Sequence, residues 1–151
     1  MAYRDRLHHS APGWVKDGAA FHIRMRSAQD ALFLRGPDVA AQAILDAARF
    51  YHDNQRWFCR LILVMPDHLH SILVFPRHDR MSTVIGAWKG FLARSRHIKW
   101  QPGFFDHRLR NRKEADQCWR YIRQNPVRAG LAEHENDWLW AWWPQEILVP
   151  E

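Results

Sequence analysis

Residues 61–75 read LILVMPDHLHSILVF, and the organisation of the chain turns on how this stretch folds. Two apolar runs, 61–65 and 72–75, are separated by Pro66-Asp67 and then by His68-Leu69-His70. Pro-Asp between two apolar runs marks a turn, so the stretch predicts two adjacent strands over 57–65 and 68–75. Their continuous apolar character makes them central strands, covered on at least one face. Side chains alternate along a strand, so His68 and His70 share one face while Leu69 points to the other, toward a core. Two imidazoles on one rigid strand can supply half of a metal site. Spacing alone discriminates little, because 10 histidines in 151 residues give roughly 0.6 His-x-His pairs by chance.

On the amino-terminal side, Phe21, Ile23 and Met25 alternate with His22, Arg24 and Arg26, which predicts a half-buried strand. Gly36-Pro37-Asp38 then opens a helix running to about His52, with the stripe Ala40, Ala43, Ile44, Ala47 and Tyr51. On the carboxyl side, residues 81–99 are helical, with Ser82 or Thr83 near the cap and Val84, Ile85, Trp88, Phe91 and Leu92 facing inward. Residues 104–110 form a short edge strand, and Asn111 caps a third helix whose stripe is Ala115, Cys118, Trp119 and Ile122. The order strand, helix, strand, strand, helix, strand, helix predicts an α+β fold. It is the split βαβ arrangement of ferredoxin-like and RRM-like domains, a four- to five-stranded antiparallel sheet with helices mainly on one face.

A chain of 151 residues, 47% hydrophobic and 13% aromatic, suffices for one domain with its own core. Residues 1–17 read as an arm, and residues 132–151 as a Trp-rich tail whose Trp138, Trp140 and Trp142 recur at period two, as in an extended segment laid on the domain. Cys59 and Cys118 sit inside apolar patterns and form no framework, which suits buried thiols in a reducing compartment. No run approaches the roughly 18 apolar residues that span a bilayer, and the amino end lacks the apolar core of a secretory signal, so a cytoplasmic protein without a membrane partner is expected. Charge is concentrated: residues 77–128 carry 13 Lys and Arg against 4 Asp and Glu, whereas the remainder carries 9 against 12. That basic field, interleaved with Trp88, Phe91, Trp100, Phe104, Phe105 and Trp119, fits a polyanion, of which nucleic acid is the commonest.

On the third helix Gln117, Tyr121 and Asn125 are spaced four apart and form one row, about 100° from the apolar stripe. Taken singly, such a tyrosine is most often a packing residue with a wet hydroxyl, and an asparagine before Pro126 is most often a helix terminator.

Together these residues resemble a known family. VMPDHLH at 64–70, WKG at 88–90, GFFDH at 103–107 and WRYIRQNPVRAGL at 119–131 look like the single-tyrosine HUH transposases, in the branch of REP-associated tyrosine transposases. FHIRMR at 21–26 is similar to the family's first strand. The resemblance implies metal-dependent cleavage and rejoining of single-stranded DNA, binding of short palindromic hairpins, and a monomer or homodimer acting in the bacterial cytoplasm, on the nucleoid. It implies His68 and His70 as ligands of a divalent ion (Mg²⁺ or Mn²⁺), Asn125 as an amide-type third ligand, and Tyr121 as the nucleophile. Two departures stand out: Asp67 where the family usually has Asn, and WLWAWW at 138–143 in place of its Trp-Ser-Ser block.

The chemistry agrees with these roles. A phenol is almost wholly protonated at neutral pH and needs a nearby cation or base to attack a phosphodiester. An ion held by two imidazoles and one amide keeps open positions for phosphate oxygens. His107 and Asp67 are candidates to take the phenolic proton. Arg24, Arg26, Lys89, Arg94, Arg96, Arg108, Arg110, Arg112, Arg123 and Arg128 are the candidate DNA-binding residues. A hairpin-binding protein without cleavage, and a metal-free RNA-binding domain on the same fold, are the alternatives.

Overall fold

The computed structural model describes residues 13–29, 31–34 and 39–145. A short helix α1 (Gly13–Asp17) leads into β1 (Ala20–Arg26), α2 (Ala40–Asp53), β2 (Phe58–Val64), β3 (His68–Val74) and α3 (Met81–Arg96). Then follow β4 (Phe105–Leu109), α4 (Arg112–Arg123), α5 (Asn125–Arg128) and β5 (Ala141–Trp142). The strands form one antiparallel sheet in the order β4-β1-β3-β2-β5. The α+β architecture and the split βαβ order are those expected. Residues 1–12, the Gly36-Pro37-Asp38 helix start and the end of the tail, 146–151, lie outside the described residues.

Alternation along the strands sorts the core into two halves. Ile23, Met25, Cys59, Ile62, Val64, Leu69 and Leu73 pack with α2 and α3 on one face. Ala20, Phe58, Leu61, Leu63, Ile72, Val74 and Leu109 pack with α4 on the other. An irregularity between Cys59 and Leu61 lets Phe58 and Leu61, three apart, share the α4 face. With both faces covered, β2 and β3 must be apolar throughout, as residues 61–75 are. Two of the three long helices therefore lie on one face; α4 takes the opposite one, because its buried stripe Ala115, Cys118, Trp119 and Ile122 packs there.

Local chemistry sets the element ends. Asn111 Oδ1 accepts from the Glu114 backbone N–H at 2.9 Å, and Glu114 accepts from the Arg110 N–H at 2.8 Å, which pins the first turn of α4. The third helix of the expectation breaks at Gln124, before Asn125-Pro126, and resumes as α5. Helix α3 stops at Arg96 rather than Lys99, since His97 turns left-handed (φ 58°). That reversal brings Ile98 into the core beside Leu92, and Phe91, expected inward, is 48% exposed. The end of the expected amino-terminal arm is also structured: α1 carries Val15, fully buried against the α4-side core.

After a 3₁₀ turn at Glu135–Asp137 the segment 138–142 runs along the sheet edge, with Trp138 on the α4 side and Trp140 and Trp142 on the α2/α3 side, so the period of two does not mark a single face. Val64 N–H donates to the Trp140 carbonyl at 2.8 Å, Ala141 and Trp142 pair with Leu63 and Ile62, and Trp138 Nε1 donates to the Val64 carbonyl at 3.1 Å. The tail thereby supplies the fifth strand and covers an edge of β2.

Candidate active site

Strand β3 is bonded on both sides, by β1 and β2, so His68 and His70 stand on an inner part of the sheet. Leu69 between them is fully buried on the α2/α3 side, and the two imidazoles therefore face α4. His70 is only 2% exposed; His68 is half-buried. Each has its Nδ1 engaged. Asp67 Oδ1 lies 2.7 Å from His68 Nδ1, and His22 Nε2 lies 2.9 Å from His70 Nδ1. The bond to His68 holds the Asp67 carboxyl below the usual carboxylate range. Burial, reinforced by His22 and His68 and then by Arg24 and Arg26, lowers His70 to about 2; burial with Arg24 and His107 lowers His22 to about 4. Both rings are neutral at physiological pH, as a ligating imidazole must be.

Helix α4 brings Tyr121 over this pair. Its ring centroid is 6.0 Å from that of His70 and 6.3 Å from that of His22, edge-on in both cases, while 49% of the residue is exposed to an approaching substrate. The residues are 51 and 99 positions apart in sequence from Tyr121, and only the packing of α4 through Trp119 and Ile122 joins them. Arg128 closes the far side: its guanidinium lies 4.4 Å over the Tyr121 ring. Gln124 remains in the right-handed helical region (φ −84°, ψ −6°), so Asn125 keeps a place one turn beyond Tyr121.

The Asn125 side-chain nitrogen is buried with no hydrogen-bond partner. An amide N–H so placed is a donor that lacks an acceptor, which costs roughly 1–3 kcal/mol, and a phosphate oxygen could supply one while Oδ1 stays the atom able to face a cation. Among the described residues no three His, Cys, Asp or Glu side chains are placed to hold a metal ion. A third protein ligand beside His68 and His70 would have to be of another type, and an amide oxygen such as that of Asn125 is of a kind that divalent ions accept.

The expected DNA-binding residues are dispersed. Arg24 and Arg26 oppose His70 and His68 in the β1–β3 register, on the site's own face, and Arg24 lies 4.8 Å over the Phe105 ring. Arg108 lies in the edge strand β4, Arg110 follows it and Arg112 begins α4; together with Arg60 they line a cavity of about 300 Å³. Arg94 and Arg96 are exposed, but on α3, behind the sheet from Tyr121. Lys89 donates to the carbonyls of Gln101 and Gly103, at 3.0 and 2.8 Å, and so stitches the loop before β4. Arg123 corrects its expectation outright: it is 3% exposed, bonded to Asn136 at 2.8 Å and stacked 4.4 Å over Trp143. It anchors the tail and does not face a phosphate, because it falls on the inward side of α4 beside Ile122. Asp67 is engaged with His68, and His107 is exposed opposite His22.

The residue the sequence reading passed over is His22. Its place beside Arg24 and Arg26 on the polar side of β1 was visible, but its meeting with His70 depends on the β1–β3 register, which pairs Arg24 with His70 and leaves His22 as the diagonal neighbour.

No family model matches the chain. It is 24% identical over 140 residues to the REP-associated tyrosine transposase of Escherichia coli (strain K12), covering 89% of this chain and 81% of that protein. A solved structure of a REP-associated tyrosine transposase bound to a REP hairpin superposes with a TM-score of 0.69 at 23% identity, over 89% of this chain and 82% of the other. A putative transposase from Deinococcus radiodurans gives 0.52 at 18% identity, over 78% and 97%. In sequence and in fold the chain is thus similar, over nearly nine-tenths of its length, to REP-associated tyrosine transposases.

Proposed function

We propose that the chain is a metal-dependent, single-tyrosine DNA endonuclease and strand transferase that acts on hairpin-bearing single-stranded DNA in the bacterial cytoplasm. The observation that carries this reading is the placement of the exposed Tyr121 ring 6.0 Å from His70, whose Nδ1 is the nitrogen engaged by His22. Tyr121 Oη attacks the scissile phosphorus, the bond from phosphorus to the 3′ oxygen breaks, and the strand is held as a 5′-phosphotyrosine. The phenolic proton leaves Oη as that bond forms, and one proton is returned through solvent to the departing 3′ oxygen, which leaves as a hydroxyl. Because one phosphodiester replaces another, the step reverses with a new 3′-hydroxyl, and cutting becomes rejoining. His68, His70 and Asn125 would hold the divalent ion, which when bound supplies Lewis-acid polarisation of the phosphate. Arg128 holds the Tyr121 ring, and Arg24 and Arg26 line the approach with positive charge.

The test is a labelled single-stranded hairpin oligonucleotide incubated with Mg²⁺ or Mn²⁺ and either wild type or Tyr121→Phe. A covalent protein–DNA adduct on a denaturing gel with wild type alone is the expected result. Equal binding with no adduct from either protein overturns the enzyme and leaves a hairpin-binding protein. Binding that does not weaken as salt rises would remove the arginine surface from the account.

A further inference from the structure

We propose that His22 is a positioning residue for His70: by accepting the Nδ1 proton of His70 it commits His70 Nε2 as the lone pair offered to the divalent ion. The inference rests on the reading of His68 and His70 as ligands and extends it to a residue on another strand. A neutral imidazole carries one proton, on one nitrogen or the other. Across the 2.9 Å contact between His22 Nε2 and His70 Nδ1, one atom donates and the other accepts. Were His22 the donor, the proton of His70 would lie on Nε2 and that nitrogen could not ligate. Ligation through Nε2 therefore requires His70 Nδ1–H to donate and His22 to carry its own proton on Nδ1.

The same logic already operates at the neighbouring ligand, where Asp67 Oδ1 accepts from His68 Nδ1 at 2.7 Å. The two acceptors differ because their surroundings do. Asp67 is exposed at the turn, where a carboxylate stays hydrated. His22 is half-buried beneath α4, where an unpaired carboxylate would be costly and an imidazole accepts without charge. The geometry holds His22 in place: its ring stacks on His70 (centroids 5.1 Å, interplanar angle 27°) and meets the Phe105 edge at 5.7 Å. Its Nε2 is thus turned to His70, and with no three-residue His, Cys, Asp or Glu group among the described residues, it does not serve as a third ligand.

Metal-free wild type, His22→Gln, His22→Phe and a His68→Ala/His70→Ala double variant are titrated with Mn²⁺, free ion being read by its paramagnetic resonance signal. Thermal unfolding and hairpin binding are measured in chelator. His22→Phe keeps a ring in the stack and removes the acceptor; His22→Gln restores an acceptor oxygen. The expected result is a loss of about 10- to 100-fold in Mn²⁺ affinity for His22→Phe, the scale on which such outer partners act. Recovery of most of that loss is expected in His22→Gln, with chelator-state unfolding and hairpin binding alike in both. Equal Mn²⁺ affinity in wild type and His22→Phe overturns the role of His22 while leaving the ligands standing. Mn²⁺ binding by wild type no tighter than by the double variant overturns the ligand reading itself, and this inference with it.

Discussion

The guanidinium of Arg128 lies 4.4 Å over the ring of Tyr121 and donates, through Nη2, to the carbonyl of Tyr121 itself at 2.7 Å. The two residues are seven apart, and the break at Gln124 followed by α5 is what folds one back on the other. A cation on the ring face fixes the phenol and sits beside the charge that develops there. An exposed cation–π contact is worth about 0.5–1 kcal/mol and a hydrogen bond about 1 kcal/mol.

Arg128→Ala should accordingly slow phosphotyrosine formation about tenfold, the equivalent of about 1.4 kcal/mol, with Arg128→Lys between. Single-turnover adduct formation at saturating oligonucleotide separates this from weaker DNA binding. An unchanged rate in Arg128→Ala would show that the contact orders the ring without aiding its chemistry.

Leu69 is the residue that turns both histidines toward α4, and it is fully buried against α2 and α3. Leu69→Ala should cost about 2–5 kcal/mol of stability through lost burial and a residual cavity. Urea unfolding followed by tryptophan fluorescence gives the value; a loss under 1 kcal/mol would mean that the core collapses freely around the site.

Trp138 holds the tail by a single side-chain bond to the Val64 carbonyl. Trp138→Phe keeps most of the ring volume, loses the donor, and should lower stability by about 1 kcal/mol, or about 2–4 °C in Tm for a chain of this size. If Tm does not move, backbone pairing through Trp140 to Trp142 suffices to seat the tail.

Burial pushes the Cys118 thiol up to about 12 and raises Cys59 further. Both stay protonated in the folded protein, whereas the unfolded thiols ionise near their ordinary value of about 8.5. The sign follows: their contribution is constant at neutral pH, and stability falls as pH rises through about 8.5 because the unfolded chain releases protons that the folded one retains. A thiol reagent at pH 8 should label neither cysteine in native protein and both in guanidinium. Rapid native labelling of Cys118 would contradict its burial.

How much could be read from residues alone differs from one feature to the next. The strand at 68–74, the cap at Asn111 and the stripe Ala115, Cys118, Trp119, Ile122 all follow from short-range rules, and all are found. Phe91 and Arg123 do not follow. Helical period assigns a face, but which side chain fills it depends on what another segment brings: Ile98 lies in the core while Phe91 is exposed, and Asn136 with Trp143 captures Arg123. His22 is the clearest case, because its meaning lies in a partner 48 residues away.

Alternation, turn chemistry and helical spacing are local, so the amino-acid order was enough to place His68 and His70 on one face and Tyr121 with Asn125 in one row. It also carried the motifs by which the chain resembles its relatives. The side of the sheet that receives α4, the strand that lies next to β3, and the nitrogens that remain open are long-range outcomes. They depend on which apolar faces bury each other and in what register, and only the folded chain decides them: α4 opposite α2 and α3, Tyr121 beside His70, and His22 against the one nitrogen that sets what His70 can bind.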